Sequence, residues 1–382
     1  MNIEEYYNEI WENQKAIKEG KLLAIPFPYK KVTAALPGIM RGKMYVITAE
    51  TKVGKTQFMS YSFLYQMIEY AYEHRELNIR IIYAALEESE TVIIDRYVTY
   101  IVFKHFGVRL NGQKIRGYNK SGLLKEEEIQ AINNGRIKDK VRFFLEHIDF
   151  ITDRSREKII DKCKGLLMTN GTIETKYERI KDEYTGQWET SVIFDKYKPN
   201  DPDQWNFIII DHIGCIEAKN DLKGEIDKLG QELIRIRNVY NMTSIIIQQQ
   251  TSIGTMEIKR GEDARRNLAS KDRLADSRYT GQNADYVIGV SSPYKLMKHL
   301  PLELQIWDKK YNVGRLKNCL TVIELLLSRH GPCFTPMPLF FDGATCSFHE
   351  LPIFNGINDS KKEDELEEEI RYAEKLNNTF QE

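Results

Sequence analysis

Apolar residues in the central part of this chain come in short unbroken runs rather than in alternation. Met44-Tyr45-Val46-Ile47 is one, and Ile79 to Leu86 is another, broken only by Arg80. Phe207 to Ile210, Thr243 to Ile247, Ala284 to Val290 and Leu320 to Leu327 follow. Such runs predict strands covered on both faces, the signature of a parallel sheet under two layers of helices. Helical spacing appears between them, through Ile94, Tyr97 and Ile101, near 124–136, near 155–168, and over about 224–240. The predicted class is therefore α/β, with a mostly parallel central sheet flanked by helices.

Three segments depart from this rhythm. Ile3, Tyr6, Tyr7, Ile10, Trp11 and Ile17 lie at near-helical spacing up to Gly20, predicting an amphipathic helix over 1–20. It either packs on its own domain or docks on a neighbour. A turn-rich lead-in follows, with Ile25-Pro26-Phe27-Pro28 and then Leu36-Pro37-Gly38. Residues 172–204 have little periodicity and read as an insertion, with a loop at Lys198-Pro199-Asn200-Asp201-Pro202. From Ser360 to Glu369 runs a block of charge, expected to be a solvated helix or disordered tail. The expected organisation is a helix at 1–20, one domain at 21–353 and an acidic tail at 354–382.

The first apolar run leads into Ala49-Glu50-Thr51-Lys52-Val53-Gly54-Lys55-Thr56, and a predicted helix begins at Gln57. Strand, loop, Gly-Lys-Thr, helix is the layout of a P-loop, whose backbone N–H groups face nucleotide phosphates. Ala49 through Gln57 are the candidate ATP-binding residues. Lys55 would reach the β- and γ-phosphates, and the Thr56 hydroxyl would ligate Mg²⁺. Ala49 stands where a first glycine is usual.

Other chemistry falls at strand ends. Asp211 closes the Phe207–Ile210 run, where a carboxylate would hold the Mg²⁺ hydration shell or simply cap the next turn. Glu87 follows Leu86 and could deprotonate an attacking water, with Glu88 as its rival. Gln249, in Gln248-Gln249-Gln250, could sense a γ-phosphate or be part of a polar turn. Arg329, in Ser328-Arg329-His330-Gly331-Pro332, could point out of the domain as an arginine finger or be a surface arginine. From Glu257 to Arg278 the cations Lys259, Arg260, Arg265, Arg266, Lys271, Arg273 and Arg278 face five acids. That surplus is small, so a solvated loop is the default and phosphate contact the sharper reading.

Composition narrows the class. The chain has 382 residues, 42% hydrophobic and 29% charged, with a net charge of −1, so nucleic-acid contact would have to be local. No apolar stretch is long enough to span a bilayer, and the acidic N-terminus has no signal-peptide core. Five scattered cysteines without Cys-x-x-Cys spacing argue against disulfides and zinc, and for a cytoplasmic protein.

Together these motifs resemble the C-terminal ATPase domain of the DnaB-type hexameric replicative helicases, a RecA-like fold. Gly20 to Pro26 and Leu36 to Gly42 look like that family's lead-in, and Ala at the first P-loop position is common in it. Ala85-Leu86-Glu87 resembles its Ser-Leu-Glu, which implies that Glu87 is the catalytic base. Ile210-Asp211 matches its Walker B pair, and Ile247-Gln248-Gln249 is similar to its Leu-Ser-Gln. Gly281 to Ile288 and Arg329-His330-Gly331-Pro332 resemble two later motifs, the second carrying a finger supplied to the next subunit. The family's Lys two residues before the finger is here Leu327, which leaves Arg315 or Lys317 to share the role. The family's collar domain is missing, and the first helix resembles its linker helix, as in a phage or plasmid version. The resemblance implies a hexameric ring that hydrolyses Mg²⁺-ATP to translocate on single-stranded DNA during replication. Lys259, Arg260, Arg265, Arg266, Lys271 and Arg273 would line its channel, and primase or other replisome proteins would be partners. A RecA- or KaiC-like recombination or regulatory ATPase, or a nucleotide-binding assembly protein, are the alternatives.

Overall fold

The computed structural model describes residues 3–110, 112–117, 123–181, 188–251, 268–270, 273–275, 279–296, 303–307, 309–331, 333, 336–353 and 360–379. Nine strands form one sheet: β1 (Met44–Ala49), β2 (Ile79–Ala85), β3 (Ile148–Ile151), β4 (Trp205–Asp211), β5 (Thr243–Gln249), β6 (Tyr286–Ser291), β7 (Leu320–Ser328), β8 (Met337–Asp342) and β9 (Ser347–Glu350). Their spatial order is β9-β8-β7-β6-β1-β5-β4-β2-β3. From β3 to β6 every neighbouring pair is parallel, and β7, β8 and β9 add antiparallel pairs at one side.

Alternate side chains of each central strand enter two different cores, which is why the runs are unbroken. Tyr45, Ile47, Ile81, Tyr83, Phe207, Ile209, Ile245 and Ile247 pack with Phe58, Phe63, Ile93, Tyr97 and Phe144. These partners come from α2 (Lys55–Met59), a π-helical turn (Ser60–Tyr65), α3 (Glu90–Phe106) and α4 (Gly135–His147). Val46, Ile82, Ile208, Ile210 and Ile246 face the other way, onto α5 (Arg156–Thr169) and α6 (Leu222–Tyr240) through Ile159, Cys163, Leu229 and Leu233.

The first helix, α1 (Ile3–Lys18), carries Ile3, Tyr6, Tyr7, Trp11 and Ile17 exposed, and none of them joins a core cluster. The insertion, which shows little periodicity in the sequence, is a long antiparallel hairpin of Gly171–Lys181 and Trp188–Pro199. Bends and turns at 200–203 follow it, overlapping the loop expected at 198–202. Ile173, Tyr177, Val192 and Phe194 stay exposed on the hairpin, so solvent and a register shift after Glu174 blur its period. The charged tail takes the helical of its two expected forms, but one face of it is buried rather than solvated. Ser360–Thr379 is a helix, α7, that buries Leu366, Ile370, Ala373 and Leu376 in a third core with Leu316, Val322 and Phe340.

One polar group is locked inside the first layer. The Glu69 carboxylate accepts from Lys140 Nζ at 2.9 Å to each oxygen, from Lys104 Nζ at 2.9 Å and from the Tyr97 hydroxyl at 2.9 Å. The Lys140 side chain is 1% exposed, so it has no water to fall back on. Glu69→Ala is expected to destabilise the protein by about 3–5 kcal/mol, the cost of stranding a buried charge. Urea-induced unfolding followed by circular dichroism reads this directly, and a loss under about 1 kcal/mol would mean that Lys140 finds water.

Candidate nucleotide site

Parallel pairing brings four strand ends to one edge of the sheet. Ala49 pairs with Gln249, and Ala85 pairs with Asp211, so the P-loop, Gln249, Asp211 and Glu87 leave the sheet at the same level. This is the carboxyl edge, where open α/β sheets hold ligands.

Ala49 is the last residue of β1, fully buried, and is not among the residues with positive φ. Its backbone conformation therefore suits alanine as well as glycine, which accounts for the departure from the usual first glycine. The loop turns instead at Lys52, with φ 62°, and at Gly54, with φ 91°. Gly54 is the N-cap of α2, and Lys55 lies in its first turn, buried. Backbone N–H groups there have no intrahelical acceptor and form an anion cradle.

The Thr56 hydroxyl lies 3.3 Å from Asp211 Oδ1, and the Tyr83 hydroxyl donates to Asp211 Oδ2 at 3.1 Å. Asp211 is buried, and that desolvation pushes its pKa up to about 6. The Tyr83 hydrogen bond and Lys55 act against the shift, while Glu88 and Glu87 add to it. A hydroxyl beside a buried carboxylate under electrostatic pressure fits a small divalent cation bound mainly through phosphates and water. Among the described residues no group of three or more acidic, His or Cys side chains forms a metal cluster, so Mg²⁺ would enter with its nucleotide.

The two glutamates have different surroundings. Glu88 is held by both terminal nitrogens of Arg96, at 2.7 Å for Nη2 to Oε1. Glu87 is 49% exposed, with His212 Nε2 at 3.6 Å. An engaged carboxylate cannot turn to a water; Glu87 can. Gln249 Nε2 donates to Thr51 Oγ1 at 2.6 Å, and Lys295 Nζ donates to the Lys52 carbonyl.

Arg273, read from the sequence as a DNA contact, pairs with Glu50 of the P-loop, and it also donates to the Thr251 carbonyl at 3.2 Å. Lys259, Arg260, Arg265, Arg266 and Lys271 lie outside the described residues. Arg329 is placed apart from the rest. Its N–H bonds to the Asp285 carbonyl at 3.0 Å, just ahead of β6, and its guanidinium donates to the carbonyls of Ala284 at 2.9 Å and Gln282 at 2.7 Å. That is the amino edge of β6 and β1, roughly 15 Å of strand away from the P-loop of the same chain. Arg315 is bonded to Glu367 and Glu374 of α7 and so is committed elsewhere.

Sequence reasoning missed Tyr83, Arg96 and His212. Tyr83 could have been found by parity, since it lies two residues before Ala85 on the face that registers with Asp211. Arg96 sits eight residues beyond Glu88, about two helical turns, a spacing that carries no signal until the strand-to-helix turn is known.

The same fold occurs in a solved ATPase domain, with a TM-score of 0.61 and 15% identity over 92% of this chain and 99% of that one. It occurs again in a DnaB-like replicative helicase described together with its interactions with primase, with a TM-score of 0.58 and 15% identity. That match covers 91% of this chain and 66% of the helicase, so this chain spans just under two thirds of it. No family model matches the sequence, and no curated protein matches it either. The likeness establishes the fold, a large mostly parallel sheet flanked by helices.

Asp211 gives a testable sign. Its raised pKa means that the folded protein without ligand holds this proton more tightly than the unfolded chain does. Stability is then greatest below the unfolded value and is lost as pH rises through about 6. At pH above about 7, Asp211→Asn without nucleotide should melt higher than wild type, by up to about 3 kcal/mol at roughly 1.36 kcal/mol per pKa unit. The gap should close near pH of about 4, the unfolded value. Scanning calorimetry at both pH values checks it; an equal gap at both would mean that the carboxylate is not under strain.

Proposed function

We propose that this protein is an Mg²⁺-ATP-driven DNA helicase motor, working as a ring of identical subunits, a hexamer by resemblance, on single-stranded DNA. The observation that carries the reading is the division of the site: Lys55, Thr56, Asp211, Glu87 and Gln249 meet at one sheet edge, while Arg329 lies at the other. A P-loop without a finger is chemically incomplete, and stacking protomers head to tail, the P-loop edge of one against the Arg329 edge of the next, completes it. The fold shared with the DnaB-like helicase, described with its interactions with primase, supports the same reading and makes primase a candidate partner.

Each residue then has a task. Lys55 and the amides of Gly54 to Gln57 hold the phosphates, with Glu50, Thr51, Lys52 and Val53 shaping the loop. Thr56 and Asp211 would hold Mg²⁺, which would supply charge to neutralise the phosphate oxygens. Glu87 takes the proton of the attacking water, with His212 beside its carboxylate. Arg329 of one subunit exchanges its two main-chain carbonyls for phosphate oxygens of the next. Gln249 and Arg273 brace Thr51 and Glu50 from the two ends of the segment that carries Lys259, Arg260, Arg265 and Arg266. Phosphate arrival at the P-loop competes with those bonds and so reaches the DNA-facing loop, which also carries Lys271.

The test is ATP hydrolysis with and without single-stranded DNA, paired with displacement of a forked duplex. Stimulated hydrolysis with displacement is expected. Stimulation without displacement would instead mark a recombination-type ATPase, and hydrolysis indifferent to DNA would sink the motor. Glu87→Gln should lower turnover by about a hundredfold or more while keeping ATP affinity, within the roughly 10²–10⁴ that general bases contribute. Glu88→Gln should release Arg96 yet keep most turnover; the reverse pattern would move the base by one residue.

Arg329→Ala alone should lose roughly 10³-fold or more, the scale of a finger. Mixed with Lys55→Ala protomers it should regain activity, because some interfaces pair an intact P-loop with an intact finger. Failure to recover at any ratio would leave either a role in its own subunit or a strictly concerted ring, and a wild-type rate for Arg329→Ala alone would remove the finger outright.

A further inference from the structure

Beyond the P-loop lies a cavity of about 320 Å³ lined by Tyr294, Asn318, Phe341, Asp342, Leu376 and Asn377, among others. One of its walls, Phe341, touches the loop. The Phe341 ring comes within 3.7 Å of where a Cβ on Gly54 would lie, and Gln57 Oε1 is within 3.8 Å of the same point. Lys295, next to Tyr294, donates to the Lys52 carbonyl. The cavity thus begins where the phosphate cradle ends, beside the first turn of α2. At the lower end of the roughly 300–1,000 Å³ typical of small-molecule sites, it suits part of a nucleotide rather than the whole.

Its lining also carries one cation, Lys317. Asp342 is the one acid among those six residues, and it is already spent. Its Oδ2 accepts from Arg109 Nη2 at 2.6 Å, and its Oδ1 accepts from the Ala344 N–H at 3.1 Å. What remains is aromatic and aliphatic surface with two amides, Asn318 and Asn377, and the cation Lys317. Phe341 is held as a fixed plane by stacking on Phe348, 4.4 Å between centroids at 19°. A flat aromatic face beside amides suits a nucleobase and ribose.

The outer wall belongs to α7, the charged tail helix. Leu376 and Asn377 come from its last turns, and the helix is fastened firmly. Arg315 binds Glu367 and Glu374 with four contacts of 2.7–3.2 Å. Asn377 Nδ2 donates to the Leu316 carbonyl at 3.3 Å. Arg109 binds Tyr372 of α7 as well as Asp342, tying the helix to the cavity's inner wall. We propose that α7 closes the base-and-ribose end of the nucleotide site, so that this C-terminal helix sets nucleotide affinity. The proposal rests on the P-loop reading of Ala49–Gln57.

The test separates base from phosphate. Calorimetric titration with Mg²⁺-ATP and with Mg²⁺-tripolyphosphate is done on full-length wild type, Leu376→Trp, Asn377→Ala and Lys55→Ala. Leu376→Trp fills the cavity and should weaken ATP about tenfold or more, while tripolyphosphate stays within about twofold. Asn377→Ala should weaken ATP alone by a smaller factor. Lys55→Ala should lose both ligands. Wild-type ATP affinity in both α7 variants, with Lys55→Ala losing both ligands, overturns the role of α7 and leaves the P-loop standing. Retention of both ligands by Lys55→Ala would instead overturn the P-loop reading itself. Should Leu376→Trp weaken both ligands alike, the same comparison in Asn377→Ala decides, and equal weakening there also overturns the proposal.

Discussion

Everything in the site depends on β1, β5, β4 and β2 running parallel and in register. Ala49 opposite Gln249 and Ala85 opposite Asp211 place the four strand ends at one height. The chain directions alone bring together residues as far apart in sequence as Ala49 and Gln249. The register is enforced by burial: a slip of one residue would turn Tyr45, Tyr83 and Phe207 out of one core and into the other, whose partners have different shapes. The apolar runs that make the sheet legible are therefore also what aims the polar residues at its edge.

That edge is held at a cost in stability. Asp211 is buried with only Tyr83 and Thr56 within hydrogen-bond reach among the described side chains, next to two glutamates, and its pKa rises as a result. A carboxylate so placed is stabilised by a cation, and Lys55, itself buried at the loop, already supplies part of that charge. The loop in turn is braced from outside by Gln249, Arg273 and Lys295, each bonded to a different P-loop residue. The cradle is thus shaped before any ligand arrives, which lowers the ordering cost of binding.

The sequence made the sheet, the P-loop and Asp211 readable because each has a local signature: an unbroken apolar run, a glycine-lysine-threonine turn, an acid at a strand end. Apart from the family resemblance, which points to Glu87, the residues could not choose between Glu87 and Glu88, because the difference lies in Arg96, one helix away. The tail was expected as a solvated helix or disordered, and its buried face was missed for a related reason. Its acids dominate the composition, yet Leu366, Ile370, Ala373 and Leu376 recur every three or four residues and dock the helix, while Glu367 and Glu374 neutralise Arg315. The insertion hid its strands because a hairpin wet on most of its surface needs no strict alternation. The basic loop carries its charges among nearly as many acids, so composition alone could not say which of them meet phosphate.

Arg329 and the P-loop occupy opposite edges of a sheet whose central strands are buried on both faces, and that geometry bears on how a ring would work. A sheet packed between two helical layers moves as a body, because its cores have no slack to absorb shear. If one protomer's phosphate edge draws in its neighbour's Arg329, the neighbour's own phosphate edge must shift with it. Hydrolysis at one interface then alters the geometry of the next without any hinge inside the domain. The three carbonyls around Arg329 matter here: one, from Asp285, binds its N–H, while those of Ala284 and Gln282 hold the guanidinium alone. The backbone anchor can persist while the side chain changes partners, so the finger role proposed for Arg329 would not require unpicking the strand that carries it.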